Sequence, residues 1–352
     1  MQTDVKARDI SDKASNSSET ERERANRANR SRLEPPVLSV EHLSKSIRGR
    51  KIIDDISFDV RAGEIYGFLG PNGSGKTTTI RMLVDLIKPT SGRVFVCGED
   101  VNKHPERALR HVGCIVENPE MYGYMTGWEN LDLFARMQEG IGDTRIEEVA
   151  RIVRLDARIH DKVKTYSLGM RQRLGIAQAL LGAPKLLILD EPTNGLDPKG
   201  IKELRAFIAE LAAEGMSVFV SSHLLSEIQL LCDRVAIIDG GRVIAVGDVH
   251  EMIAQAEAHT LWLFEDPEAG RRLLSDDPRV DVADQDRALL DESVLLALPG
   301  AIPTRVSQAD IPAVVARCAA AGVGVLAVQR VVPTLESLFL SLTGGGRDAS
   351  GS

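Results

Sequence analysis

The stretch "GFLGPNGSGKTTTIRML", Gly67 to Leu83, sets an apolar run, a glycine-rich turn, a lysine with hydroxyl neighbours and a helical pattern in direct succession. Gly70, Gly75, Lys76 and Thr77 fit the spacing G-x-x-x-x-G-K-[ST], and the residues before them, Glu64 to Leu69, read as the buried strand this spacing requires. Glycines let the backbone turn through positive φ and approach a ligand closely, so the N–H groups of Gly70, Pro71, Asn72, Gly73, Ser74, Gly75, Lys76, Thr77 and Thr78 (proline excepted) can surround phosphate oxygens at a helix N-terminus. Lys76 is expected to reach the β- and γ-phosphates and the Thr77 hydroxyl to ligand Mg²⁺. An ordinary glycine turn explains neither the lysine nor the threonine. The loop implies a nucleotide and leaves the task open, since many functions share it.

A second segment, "KLLILDEPTNGLDP", Lys185 to Pro198, is an apolar run ending in adjacent carboxylates. As a buried strand it delivers Asp190 and Glu191 to a sheet edge, where Asp190 can hold Mg²⁺ and Glu191 can polarise an attacking water. Alone, these are two solvated acids at a strand end; beside a phosphate loop they divide the labour of hydrolysis. Shortly before it, "YSLGMRQRLGIAQALL", Tyr166 to Leu181, starts a helix for which Ser167 is a natural N-cap, so that its positive end faces outward. By itself this is a capped helix.

The 352 residues suffice for two or three domains, and 43% hydrophobic with 27% charged residues is the composition of a globular protein. A formal charge of −8 argues against general nucleic-acid binding. No signal peptide is read at the N-terminus, and the most apolar later stretch, Ala313 to Val328, is too short and interrupted to span a bilayer. Cys97, Cys114, Cys232 and Cys318 lack metal-ligand or redox spacing. Residues 1–36 are polar, carry "RERANRANRSR", and read as a disordered tail. From Val37 to Ile253 short β-rich runs alternate with helical segments, which gives an α/β sheet layered with helices; between Thr126 and Gly182 the strands stop, as in an inserted helical subdomain of about 126–182. From 254 to 343 the order strand (Leu261–Phe264), helix (Glu268–Leu274), strands (Val280–Val282 and Val294–Leu298), helix (Ala309–Ala320), strand (Gly324–Val331) suits a small ferredoxin-like α+β domain, followed by a helix at Leu335–Leu342 and a flexible tail, 344–352.

In order and spacing these motifs resemble the nucleotide-binding domain of the ATP-binding cassette family, a P-loop NTPase fold: GPNGSGKTT (Gly70–Thr78) resembles Walker A, LLILDEP (Leu186–Pro192) Walker B, NGLD (Asn194–Asp197) the D-loop, and His223 in "SSHLLSE" the switch histidine. YSLGM resembles the LSGGQ signature, matching at Ser167 and Gly169 but not at Leu168 or Met170. The resemblance implies ATP and Mg²⁺ as ligands and a head-to-tail dimer in which each ATP lies between one chain's phosphate loop and its partner's signature helix. Ser167 and Gly169 are then expected on the γ-phosphate, Asp197 at the interface, and His223 on the γ-phosphate or the water.

Two positions depart from the family pattern. The usual Mg²⁺-contacting glutamine falls on Glu117 in "GCIVENPEMYGYMT"; a carboxylate still binds Mg²⁺ but adds negative charge and donates no hydrogen bond, and a solvated loop acid is the alternative. The adenine-stacking aromatic falls on Ile47, which covers a base by dispersion only. Glu117, "ENPEMYGYMTGWENL" and the signature segment resemble the exporter subgroup of bacitracin-type and lantibiotic self-protection, and "VQRVVPTLESLFLSLTG" resembles the C-terminal signature of drug-exporter ATPases. This implies a peripheral subunit on the cytoplasmic face of the cell membrane, driving a separately encoded permease. Met121, Tyr122, Tyr124 and Trp128 are either its contact surface or core of the helical subdomain. Two rival readings stay open: a cassette ATPase acting on ribosomes or DNA, and a nucleotide-gated module without turnover.

Overall fold

The computed structural model describes residues 35–117, 119–255, 258–284, 296, 298–331 and 334–344. The chain divides into two compact units at Gly247/Asp248, earlier than the 253/254 boundary read from the sequence. The tails expected at 1–36 and 344–352 lie almost wholly outside the described residues.

In the first unit, β1 (Leu38–Ile47) and β2 (Arg50–Val60) form a hairpin whose register closes at Ile47 opposite Arg50, leaving Arg48 and Gly49 as the turn. Both take positive φ, 51° and 78°, the conformation of a tight two-residue hairpin turn. With β4 (Ser91–Val96) and β5 (Glu99–Asp100) they make an antiparallel sheet in the order β2-β1-β4-β5. A six-stranded sheet follows the order β10-β9-β3-β8-β7-β6, from β3 (Ile65–Leu69), β6 (Val112–Ile115), β7 (Leu186–Asp190), β8 (Ser217–Ser222), β9 (Arg234–Asp239) and β10 (Arg242–Asp248). Strands β6, β7, β8, β3 and β9 are parallel, and β3, β7 and β8 are buried at every position, as strands covered on both faces must be.

Helix α1 (Lys76–Leu83) follows β3 and touches both β2 and β7, with Ile80, Met82 and Leu83 in the core. Phe58 on β2 packs on Tyr66 and Phe68 of β3 and on Phe219 of β8, ring centroids 5.4–5.8 Å apart, so one aromatic cluster ties the two sheets together. After the short α2 (Pro105–Leu109), three helices occupy the segment read as helical: α3 (Gly127–Ala135), α4 (Asp143–Ile152) and α5 (Leu168–Leu180). Then α6 (Pro198–Ala213) precedes β8 and α7 (Leu225–Leu231) precedes β9.

The second unit begins at α8 (Val249–Gln255), followed by β11 (His259–Phe264), α9 (Pro267–Ser275), β12 (Asp281–Val282), β13 (Ile302–Arg305), α10 (Ile311–Ala320), β14 (Val325–Val331) and α11 (Leu335–Gly344). Its antiparallel sheet runs β12-β13-β11-β14, the ferredoxin-like order. The strand expected at Val294–Leu298 falls largely outside the described residues; Leu296 is helical, Leu298 lies in a bend, and the third strand is β13 instead. Trp262, Phe264, Leu274, Ile302, Val314 and Cys318 form its core.

Candidate nucleotide site

Residues Gly70–Gly75 leave β3 and turn into α1. A Cβ at Gly70 would overlap the Ile238 carbonyl oxygen, and Gly75 sits at φ 107° against Ile53, so neither position admits another residue without moving its neighbours. Gly73, at φ 81°, faces open space. Lys76 is 6% exposed; its Nζ donates to the Gly70 carbonyl at 2.8 Å and lies 3.2 Å from Glu191 Oε1. The charge is therefore fixed at the loop's mouth before any ligand enters.

Glu191 follows β7 at φ 49°, a left-handed conformation that costs a non-glycine residue free energy and that recurs at functional sites. Its other oxygen, Oε2, is 2.7 Å from His223 Nδ1, so the carboxylate bridges the loop lysine and the histidine. Asp190, the last residue of β7, is buried and accepts from Ser221 Oγ at 2.5 Å. Burial and then this carboxylate push the neighbouring Cys114 thiol up to about 12, which keeps it protonated.

Asn72, Gly73, Gly75, Lys76, Thr77, Thr78, Glu191 and His223 line one cavity of about 390 Å³. Two further lining residues, Ile52 and Asn194, escaped the sequence reading. Ile52 belongs to the hairpin and carries no motif, whereas Asn194 stands in the NGLD run and was available. Ile47 is 44% exposed at the end of β1 and is not part of this lining, and Ser74 is turned inward and buried. A second cavity, of about 580 Å³, gathers Ser167, Gly169 and Asp197, and shares no lining residue with the first. Ser167 caps α5 by accepting from Met170 N at 3.3 Å, and Asp197 caps α6 by accepting from Gly200 N at 2.9 Å. Glu117 is in neither cavity: its carboxylate pairs with Arg81 at 2.5 Å.

The loop backbone and Lys76 suit a polyphosphate. The Thr77 hydroxyl, which lines the cavity, and the buried Asp190 carboxylate are hard-oxygen donors of the kind that suits Mg²⁺. Among the described residues no group of three or more His, Cys, Asp or Glu is placed to hold a metal ion.

Tyr122 and Tyr124 are 47% and 70% exposed. Their loop is braced from below: Asn130, fully buried, accepts from Tyr122 N and donates to the Tyr122 and Thr126 carbonyls. Thr126 and Glu129 complete a reciprocal capping box on α3. Trp128 is half-buried and stacks on His160.

A parallel sheet with a phosphate loop at a strand end, facing a carboxylate–histidine pair, defines a P-loop nucleotide hydrolase of the cassette type. The sequence profile of the family described as "ABC transporter" matches residues 53–194. Over 309 residues the chain is 45% identical to the uncharacterized ABC transporter ATP-binding protein YhcH of Bacillus subtilis, covering 88% of this chain and 96% of the relative. It is 49% identical to the bacitracin transport ATP-binding protein BcrA of Bacillus licheniformis over 59% of this chain and 68% of the relative. Among solved structures it is similar to cbiO1 of Clostridium perfringens, part of the cbiONQ transporter complex, with a TM-score of 0.59 and 26% identity over 70% of this chain and 97% of that one. The chain belongs to the family of ABC transporter ATP-binding proteins. It is an ATPase whose hydrolysis is coupled to transport, and members of this family dimerise and work with a membrane permease.

Proposed function

We propose that the chain is the ATPase subunit of an exporter that removes an antimicrobial peptide, drug or similar amphiphile, binding its permease from the cytoplasmic face of the membrane. The bacitracin-transport name of a 49%-identical relative supports the substrate class. Among the described residues no helix is long and apolar enough to cross a membrane, which fits a translocation path supplied by another chain.

The observation that carries the catalytic reading is the separation of the two cavities. Asn72, Gly73 and Gly75 to Thr78 line one with Glu191 and His223, and Ser167, Gly169 and Asp197 line the other, so a single chain offers two halves of a site that two antiparallel copies would complete twice. Lys76 and the loop N–H groups hold the phosphates. Thr77 and Asp190 would hold Mg²⁺, which would supply positive charge beside the phosphates. Glu191 orients and deprotonates the water while His223 fixes the Glu191 carboxylate and meets the γ-phosphate. Ser167 and the outward N-terminus of α5 approach that phosphate from the partner copy, with Asp197 at the contact. Ile47 covers the adenine edge. The tyrosine pair at 122 and 124, with Met121 and Trp128, receives the permease; of these, Tyr124 also lines a cavity of about 480 Å³ whose other walls are mostly charged.

Turnover of Mg²⁺-ATP against protein concentration tests the composite site. A rate rising more steeply than concentration is expected; strict proportionality down to concentrations at which the chain is monomeric would contradict it.

A further inference from the structure

We propose that Arg81, one helical turn beyond Thr77 on α1, is a positioning residue for Glu117: it pairs with this carboxylate and competes with the metal for it. The inference rests on the reading of Thr77 and Glu117 as metal ligands. Arg81 Nη2 lies 2.5 Å from Glu117 Oε1. Thr77 and Arg81 are four residues apart on α1 and share one face, about 5–6 Å apart at their Cβ atoms.

The two partners differ in how firmly they are held. Arg81 stands on a helix whose adjacent Ile80, Met82 and Leu83 are fully buried between the sheets. Glu117 stands at φ 66° just beyond β6, at the start of the loop that leads to Tyr122 and Tyr124. The side chains are 43% and 64% exposed, so the pair is weak enough to exchange. A neutral amide at this position would need no such partner. A carboxylate facing the γ-phosphate adds like charge, and Arg81 cancels it while Glu117 is withdrawn. Displacement of the loop by a bound partner would shift the balance between the guanidinium and the metal, which links the tyrosine surface to the phosphate site through one ion pair.

The test uses Mn²⁺ as a paramagnetic probe with a non-hydrolysable ATP analogue, comparing the unaltered chain, Arg81→Gln, Glu117→Gln and the double variant by electron paramagnetic resonance. Releasing Glu117 should tighten Mn²⁺ by about two- to five-fold in Arg81→Gln, the scale of an exposed ion pair. The double variant should match Glu117→Gln alone. Unchanged or weakened Mn²⁺ binding in Arg81→Gln, or an equal shift in the Glu117→Gln background, overturns the proposal. If Arg81→Gln does not fold, Arg81→Lys serves: it loses the planar fork and should shift Mn²⁺ in the same direction by less, with no shift overturning the proposal. Absence of nucleotide-dependent Mn²⁺ binding in the unaltered chain would overturn the metal-site reading itself, which separates the two failures.

Discussion

Gly169→Asp separates what α5 does for this chain from what it does for a second one. Gly169 lies in the first turn of α5, behind the Ser167 cap, and a Cβ there would meet only Leu196 Cδ2 at 3.9 Å, an ordinary contact. An acidic residue in the first turn complements the helix dipole, so the substitution should stabilise the fold by about 0.3–1 kcal/mol. For a unit of this size that raises the melting temperature by about 1–3 °C. At the composite site the same carboxylate would face the γ-phosphate. Two unit charges about 4 Å apart at an effective dielectric constant near 20 repel by about 4 kcal/mol, which at 1.36 kcal/mol per decade is about a thousand-fold in turnover. Phosphate release and differential scanning fluorimetry on one preparation read both quantities. Turnover near the unaltered rate would refute the reasoning, and so would lost turnover with a lowered melting temperature, because the fold and not the missing partner contact would then be at fault.

Glu191→Gln keeps the side chain between Lys76 and His223 but removes its capacity to take a proton, so turnover should fall by about 10²–10⁴-fold with nucleotide binding retained, as measured by phosphate release beside equilibrium binding. In the second unit the Asp277 carboxylate is buried against Arg279 at 2.7 Å and Arg317 at 3.0 Å, and these partners, Arg279 foremost, hold it well below the usual carboxylate range. A depressed folded value means its stabilisation is complete above the unfolded value near 4 and is lost as pH falls below it. Melting followed at Trp262, which is fully buried in that unit, should therefore drop below about pH 4 in the unaltered chain, and Asp277→Asn should cost about 1.5–3 kcal/mol near neutrality with a flatter acid limb. Thr126→Ala removes one arm of the α3 capping box and should cost about 1 kcal/mol in thermal unfolding.

The legible parts of the chain were those where one short segment carries its own geometry. Gly67–Leu83 fixed strand, turn and helix because glycine freedom, lysine reach and apolar periodicity all fall within it. The five buried residues of β7 likewise point to a strand edge bearing Asp190 and Glu191. The β1–β2 hairpin is less legible, because "SKSIRGRK" is polar and an Arg-Gly turn lacks the usual Asn-Gly or Asp-Gly signal. Pro303 hid β13, since proline inside a run argues against a strand. The Arg81–Glu117 pair was out of reach for a different reason: its partners are 36 residues apart, and only the tertiary fold brings them together. The same limit applied to Ile52, whose place in the nucleotide cavity depends on how the hairpin sits over α1.

The central claim is that two chains each supply half of every site, and mixing two inactive variants addresses it directly. Lys76→Ala loses the phosphate loop but keeps its signature helix, while Gly169→Asp loses the signature helix but keeps its loop. Head-to-tail pairing lets a mixed dimer assemble one intact site from the two undamaged halves, so the mixture should regain turnover that neither variant shows alone. A mixture as inactive as its components, under conditions where the chains demonstrably exchange partners, would contradict the composite site.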